Sequence, residues 1–129
     1  MSHGSFATVI NCMDGRVQEP VIGWMKGTYG VQYVDDITEP GPIAMLSSES
    51  DPAALESMRR RVDISVNQHG SHTVAIVAHY DCAGNPVCKE DQLVQLATAI
   101  DRVKSWGFDI DVLGLWVDES WQVHPVAVY

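Results

Sequence analysis

Two short stretches of the chain carry side chains that can bind a metal, and each directly follows an apolar run. Cys12 follows the run ATVIN at residues 7–11. His79 and Cys82 follow the run TVAIVA at residues 73–78. We interpret both runs as buried strands. Two thiols and an imidazole form the ligand set of a zinc site with one open position, which is typical of catalytic zinc. The sequence therefore predicts a Zn²⁺ site made by these three side chains.

Other kinds of thiol chemistry fit the three cysteines less well. An odd number of cysteines without a secretory signal argues against a disulfide framework. The chain contains no C-x-x-C motif, which excludes a thioredoxin-like redox pair. Cys12 and Arg16 are four positions apart, too close for the C-x₅-R loop that wraps a phosphate. The third cysteine, Cys88, is expected to be a buried spare thiol.

Asp14 and Arg16 follow Cys12 on the same predicted loop. Two residues apart, they can form a charge-assisted and bidentate pair. Next to a metal, Arg16 would fix the orientation of Asp14 and keep it ionised. Asp14 could then accept a hydrogen bond from a zinc-bound hydroxide, or it could take the fourth coordination position itself.

Strands and helices alternate along the chain, which predicts an α/β domain with a mostly parallel sheet. The predicted strands are residues 7–11, 30–37, 73–78 and 109–117, and the predicted helices start near Pro20, Asp51 and Cys88. Pro-Gly-Pro predicts irregular structure in TEPGPIAMLSSES at residues 38–50. The final HPVAVY, residues 124–129, could add an edge strand. We expect residues 1–129 to form one zinc-binding domain.

Two of the predicted helices carry an apolar stripe at spacings of three and four, which is typical of a helix packed on a core. The stripes are Leu55, Met58, Val62 and Val66, and then Leu93, Leu96, Ile100 and Val103. In a parallel sheet covered by such helices, ligands bind at the carboxyl ends of the strands. That rule places Cys12 and His79 at the same edge of the sheet.

The composition excludes several classes of function. A net charge of −9 argues against nucleic-acid binding, since a phosphate backbone is bound through clustered Lys and Arg. No apolar run approaches the roughly 18 residues that suggest a membrane span. The first residues lack the basic flank and apolar core of a signal peptide. We therefore expect a cytoplasmic protein that acts on a small molecule.

CMDGR at residues 12–16 and HYDC at residues 79–82 resemble, in order and spacing, the C-x-D-x-R and H-x-x-C motifs of the β-class carbonic anhydrases. The resemblance implies a parallel α/β fold in which Cys12, His79 and Cys82 hold Zn²⁺. It also implies that Asp14 and Arg16 form a catalytic dyad. The implied reaction is the hydration of carbon dioxide to bicarbonate by a zinc-bound hydroxide that the dyad positions. The implied assembly is a homo-oligomer, a dimer.

Two loops depart from the family pattern and leave alternatives open. Family members usually have Arg-Asn-Ala-Gly after the second strand, where this chain has TEPGPI at residues 38–43. They also place Gly directly after the second Cys, whereas here Ala83 precedes Gly84. One alternative is a hydrolase of carbonyl sulfide or carbon disulfide on the same scaffold. The other is a non-catalytic zinc-binding module in which Asp14 closes the fourth position.

Overall fold

The computed structural model describes residues 4–126, which contain one five-stranded β-sheet. The strands are β1 (Phe6–Cys12), β2 (Tyr33–Glu39), β3 (Thr73–His79), β4 (Asp111–Val117) and β5 (Val123–Val126). Their order across the sheet is β2-β1-β3-β4-β5, with β1 to β4 parallel and β5 antiparallel to β4. The predicted fold class, a mostly parallel sheet flanked by helices, is confirmed.

Within the described residues, four α-helices connect the parallel strands. They are α1 (Gln18–Tyr29), α2 (Pro42–Leu46), α3 (Pro52–Asp63) and α4 (Lys89–Ser105). The helix α3 begins as predicted, because the Asp51 carboxylate accepts a hydrogen bond from the Ala54 N–H at 3.1 Å and Pro52 is the first helical residue. It continues into a π-helical turn, Ile64–Gln68. None of these helices combines the length and the apolar character that crossing a membrane requires.

The prediction that residues 38–50 are irregular was wrong in part, because α2 lies within them. Gly41 adopts a left-handed backbone with φ of 59° immediately before the helix. Pro42 then occupies the first helical position, where its missing N–H costs no intrahelical hydrogen bond. The Pro-Gly-Pro sequence therefore starts a short helix instead of preventing one.

The boundary between α1 and β2 also differs from the prediction. The helix continues past Gly27 to Tyr29, and Gly30 ends it with a left-handed φ of 65°. As a result β2 begins at Tyr33. The strand β5 forms part of the edge strand predicted for the C-terminal residues, although residues 127–129 of that prediction lie outside the described part of the chain.

Apolar side chains cover both faces of the sheet. The helices α2, α3 and α4 pack on one face, and α1 packs on the other. Met58, Val62, Leu96 and Val103, from the two predicted stripes, are fully buried. Val21 and Met25 of α1 are equally buried on the opposite face. Each strand of the sheet centre is therefore held from both sides, which fixes where its carboxyl end lies.

The carboxyl ends of β1 and β3 separate from each other, and we call the opening between them the crevice. Pairing of β1 with β3 ends at Ile10 and Ile76, before either strand ends. The chain leaves β1 towards β2 on one side, and β3 connects to β4 on the other. A crevice at such a switch in strand order is where open α/β sheets bind ligands.

Two loops at the rim of the crevice touch backbone to backbone at glycines. A Cβ atom added to Gly84 would lie 2.7 Å from the carbonyl carbon of Pro40 and 2.9 Å from the nitrogen of Gly41. These distances are too short for real Cβ contacts, so a larger residue would push the loops apart. The loop after β2 therefore lies directly against the turn that carries Cys82.

We expect Gly84→Ala to lower the free energy of unfolding by about 1–3 kcal/mol, because the added methyl group meets backbone that cannot rotate away. Gly23→Ala in α1 is the matched control. Beyond the backbone of α1 and the two neighbouring residues, no atom of residues 4–126 lies within 4 Å of a Cβ added to Gly23, and Ala should stabilise this helix by about 0.5–1 kcal/mol. Urea unfolding of both variants measures the difference, and an equal effect at the two positions would contradict the close loop contact.

Candidate metal centre

Three potential metal ligands meet at the crevice. Cys12 is the last residue of β1, His79 is the last residue of β3, and Cys82 lies in the turn that follows. All three are buried, and their ligand atoms lie within 4.8 Å of one another. The two Sγ atoms are 3.8 Å apart and belong to free thiols. The structure therefore brings together the three side chains that the sequence singled out.

The imidazole of His79 is oriented so that one ring nitrogen faces this cluster. Its Nδ1 lies 2.7 Å from the carbonyl oxygen of Tyr80, and a hydrogen bond to a carbonyl requires that Nδ1 carry the proton. In the neutral ring Nε2 then holds a lone pair. This Nε2 atom is buried and has no hydrogen-bond partner among the described residues. A buried acceptor without a partner is costly, and a metal ion would provide the missing interaction.

The protonation of the cluster fits a cation as its missing partner. Burial lowers the pKa of His79, which keeps the imidazole neutral and able to act as a ligand. Burial, and then the neighbouring Cys12, raise the pKa of the Cys82 thiol. Two thiolates this close repel each other in a desolvated site unless a cation lies between them. A bound metal reverses the shift, since a coordinating thiol is deprotonated.

Asp14 and Arg16 form the bidentate pair that the sequence predicted. The Arg16 Nη2 donates to Asp14 Oδ2 at 2.7 Å, and Arg16 Nε donates to Asp14 Oδ1 at 3.0 Å. The backbone N–H of Arg16 also donates to Oδ1, at 2.9 Å. These hydrogen bonds lower the pKa of Asp14 to about 2. The carboxylate is therefore ionised at neutral pH and held in one orientation beside Cys12.

Gln92 of α4 holds His79 in place, and the sequence analysis did not identify it. Successive backbone N–H groups of a strand point to opposite sides, and the N–H of Tyr80 donates to the carbonyl of Val117 in β4. The N–H of His79 therefore points to the other side of β3, where β1 no longer pairs with it. Gln92 Oε1 accepts from this N–H at 3.2 Å, and Gln92 Nε2 donates to the His79 carbonyl at 2.8 Å. The amide side chain, only 2% exposed, thus takes the place of a missing strand.

A second glutamine holds the loop after β1. Gln18 Nε2, at the start of α1, donates to the carbonyl of Cys12 at 2.7 Å and to that of Asp14 at 2.9 Å. The signal for Gln92 was present in the sequence, since this polar residue continues the inward stripe one turn before Leu96. Gln18 shows no comparable pattern, because its role depends on a loop conformation.

A small apolar pocket of about 340 Å³ opens beside the cluster. Its lining residues are Cys12, Met13, Asp14, Pro40, Ala83 and Gly84.

The third cysteine, Cys88, is not part of the cluster of potential metal ligands. Cys88 is exposed just before α4, so the prediction of a buried thiol was wrong. The apolar stripe of α4 faces the sheet and leaves this residue at the solvent-exposed start of the helix.

Comparison with known proteins identifies the family. The model of the family described as "Putative carbonic anhydrase" matches residues 2–127. The chain therefore belongs to this carbonic anhydrase family. No curated protein matches the chain.

Solved structures of carbonic anhydrases have the same fold. A β-carbonic anhydrase of Trichomonas vaginalis superposes with a TM-score of 0.58 at 16% identity, over 96% of this chain and 83% of that one. A carbonic anhydrase of Streptococcus mutans superposes with a TM-score of 0.57 at 18% identity, over 95% of this chain and 81% of that one. Tetrameric β-carbonic anhydrases of Sordaria macrospora superpose with a TM-score of 0.63 at 11% identity, over 98% of this chain and 82% of that one. At these identities the likeness shows the fold, which is that of the β class.

We expect Gln92→Met to weaken metal binding by about tenfold, because the backbone N–H and C=O of His79 both lose their hydrogen bonds to Gln92. The free energy of unfolding should fall by about 1–3 kcal/mol for the same reason. Competition with a chromophoric chelator measures the metal affinity. Gln68→Met is the matched control, because it makes the same substitution at the exposed last residue of the π-helical turn. Equal metal affinity in both variants would rule out a role for Gln92 at the centre.

Proposed function

We propose that this protein hydrates carbon dioxide to bicarbonate with a bound Zn²⁺ ion. The observation that carries the proposal is the buried Nε2 of His79, which has no hydrogen-bond partner among the described residues and belongs to an imidazole that clusters with two buried thiols. Membership of the carbonic anhydrase family supports the same reaction.

Cys12, His79 and Cys82 would hold the metal. Two sulfurs and one nitrogen suit Zn²⁺, and three protein ligands leave a position for a water molecule, as catalytic zinc requires. When bound, Zn²⁺ lowers the pKa of that water so that it becomes a nucleophile near neutral pH. The hydrogen bond from His79 Nδ1 to Tyr80 fixes the tautomer that offers Nε2 as the ligand atom.

Asp14 orients the attacking water. Its carboxylate, with a pKa of about 2, accepts a hydrogen bond at neutral pH and does not retain a proton. The hydrogen bonds from Arg16 fix the plane of the carboxylate, which would accept a hydrogen bond from the attacking water. The oxygen of that water would add to the carbon of CO₂ as one C=O π bond opens, which would give bicarbonate, and one proton would pass to solvent.

The paired state of Asp14 favours this role over closure of the site. Both carboxylate oxygens accept hydrogen bonds from Arg16, at 2.7 Å and 3.0 Å. To become a fourth metal ligand, Asp14 would have to give up at least part of this pairing. The apolar pocket next to it suits an uncharged linear molecule that forms few hydrogen bonds.

We also propose that the chain forms a homo-oligomer, a dimer or a multiple of it. Met13 and Tyr80, close to the centre, are 63% and 47% exposed, and a second copy of the chain that covered them would remove this apolar surface from water. The Sordaria macrospora enzymes of the same fold are described as tetrameric. Light scattering on the purified protein tests the assembly.

A cytoplasmic location and a single zinc-binding domain over residues 1–129 stay predictions.

Stopped-flow hydration of CO₂ by protein with a measured zinc content tests the function. We expect one zinc per chain and a rate above buffer. Asp14→Asn keeps the size of the side chain and removes its charge, so it should keep the zinc and lose at least about tenfold in kcat. Cys82→Ala should lose both the zinc and the rate.

Cys88→Ala is the matched control, because Cys88 is the one exposed cysteine of the three. It should keep the zinc and the full rate. One zinc per chain without a rate above buffer would refute the hydration of CO₂ and leave the metal centre standing. Turnover of carbon disulfide by the same sample would then identify the related hydrolase. Zinc content below stoichiometry and unchanged by Cys82→Ala would refute the metal centre.

A further inference from the structure

Arg16 makes contacts beyond Asp14 that the carbonic anhydrase chemistry does not require. Its Nη1 donates to Asp81 Oδ2 at 3.3 Å, and its Nη2 donates to the carbonyl of Asp81 at 3.1 Å. Its Cζ lies 4.5 Å from the ring centroid of Trp121, so the guanidinium lies over the indole. Two edges of the guanidinium are thus fixed by the two Asp residues, and one face is covered by Trp121.

Both additional partners have an unusual backbone. Among the described residues, Asp81 and Trp121 are the two non-glycine residues with positive φ, at 58° and 59°. For a bulky residue such as Trp this conformation is a genuine outlier. Strained residues of this kind persist where the surrounding structure holds them, and they cluster at functional sites. Here both of them contact the same side chain.

The surrounding residues hold Trp121 in this conformation. The N–H of Trp121 donates to the carbonyl of Asp118 at 2.9 Å. Asp118 Oδ1 accepts from the N–H groups of Ser120 at 2.8 Å and Gln122 at 3.0 Å, which closes the turn between β4 and β5. The ring of Tyr80 meets the indole edge-on, with centroids 6.5 Å apart. This turn therefore directs the indole towards Arg16.

We propose that Asp81 and Trp121 are positioning residues for the Asp14–Arg16 pair. They fix the plane of the Arg16 guanidinium, and through it the orientation of the Asp14 carboxylate. The side chains of Asp81 and Arg16 are 68% and 45% exposed, so their ion pair adds little to stability. Its contribution is geometric, since Asp14 alone leaves the guanidinium free to tilt about the bidentate contact. The catalytic consequence rests on the function proposed above, whereas the contact itself does not.

Side-chain NMR of Arg16 tests the positioning independently of zinc and of activity. Separate signals from the two Nη groups report slow rotation of a guanidinium, and Arg16→Gln identifies them by their loss. We expect separate signals in the wild-type protein. In Asp81→Asn and in Trp121→Gly the rotation should become at least about tenfold faster, in keeping with the loss of one fixed contact. Asn and Gly both tolerate positive φ, so neither variant adds backbone strain.

Kinetics of the zinc-loaded protein supply the second measurement. Each variant should lose about three- to tenfold in kcat with KM within about twofold, as expected for a misplaced catalytic group. In an Arg16→Gln background, Asp81→Asn should have no further effect, because the residue acts through Arg16. Asp101→Asn, which removes an equal charge from the exposed face of α4, is the matched control and should match the wild type in both measurements.

Unchanged Arg16 signals in both variants would overturn the proposal, whatever the activity. A loss of kcat in Asp81→Asn that is fully retained in the Arg16→Gln background would overturn it as well. If the wild-type protein binds no zinc or hydrates no CO₂, while both variants still release the Arg16 side chain, the positioning is supported and the proposed function alone fails.

Discussion

The separation of β1 from β3 beyond Ile10 and Ile76 is the constraint on which the rest of the site depends. Where the strands pair, their backbone groups satisfy one another. Beyond that point the backbone needs other partners, and buried amides that lack them destabilise a fold. Gln92 and Gln18 supply these partners from the starts of two helices, one on each side of the crevice. The opening that allows a ligand to enter is therefore also the reason why polar side chains hold both of its edges.

Burial of the three potential ligands sets their protonation states and also disfavours the folded state. Cys12, His79 and Cys82 lie where water is excluded, which keeps the imidazole neutral and disfavours two thiolates. Such groups contribute little to folding unless a cation compensates them. Metal binding and the stability of the crevice are consequently linked, since a ligand that binds the folded chain stabilises it. Asp14 belongs to a different environment, because it is paired with a partly exposed Arg16 and stays charged.

The sequence predicted the parts of the fold that depend on local pattern. Apolar runs located β1 and β3, the stripes of α3 and α4 identified buried residues such as Met58 and Leu96, and the ends of the strands located the three ligands. The predictions from the sequence were wrong where contacts between residues distant in the chain determine the local structure. Pro42 starts a helix because Gly41 can adopt positive φ next to Gly84, and this contact joins residues distant in the chain. The exposure of Cys88 likewise depends on how α4 lies on the sheet.

The turn from His79 to Cys82 joins the buried and the exposed parts of the site. Its two ends, His79 and Cys82, point into the cluster, whereas Tyr80 and Asp81 between them face outward. Asp81 contacts Arg16, which lies on the loop that follows Cys12 at the end of β1. The three ligands and the Asp14–Arg16 pair therefore lie at two strand ends and on the loops that follow them. Arg16 contacts both loops, so the relative geometry of the ligands and the carboxylate is maintained by its contacts as well as by the sheet.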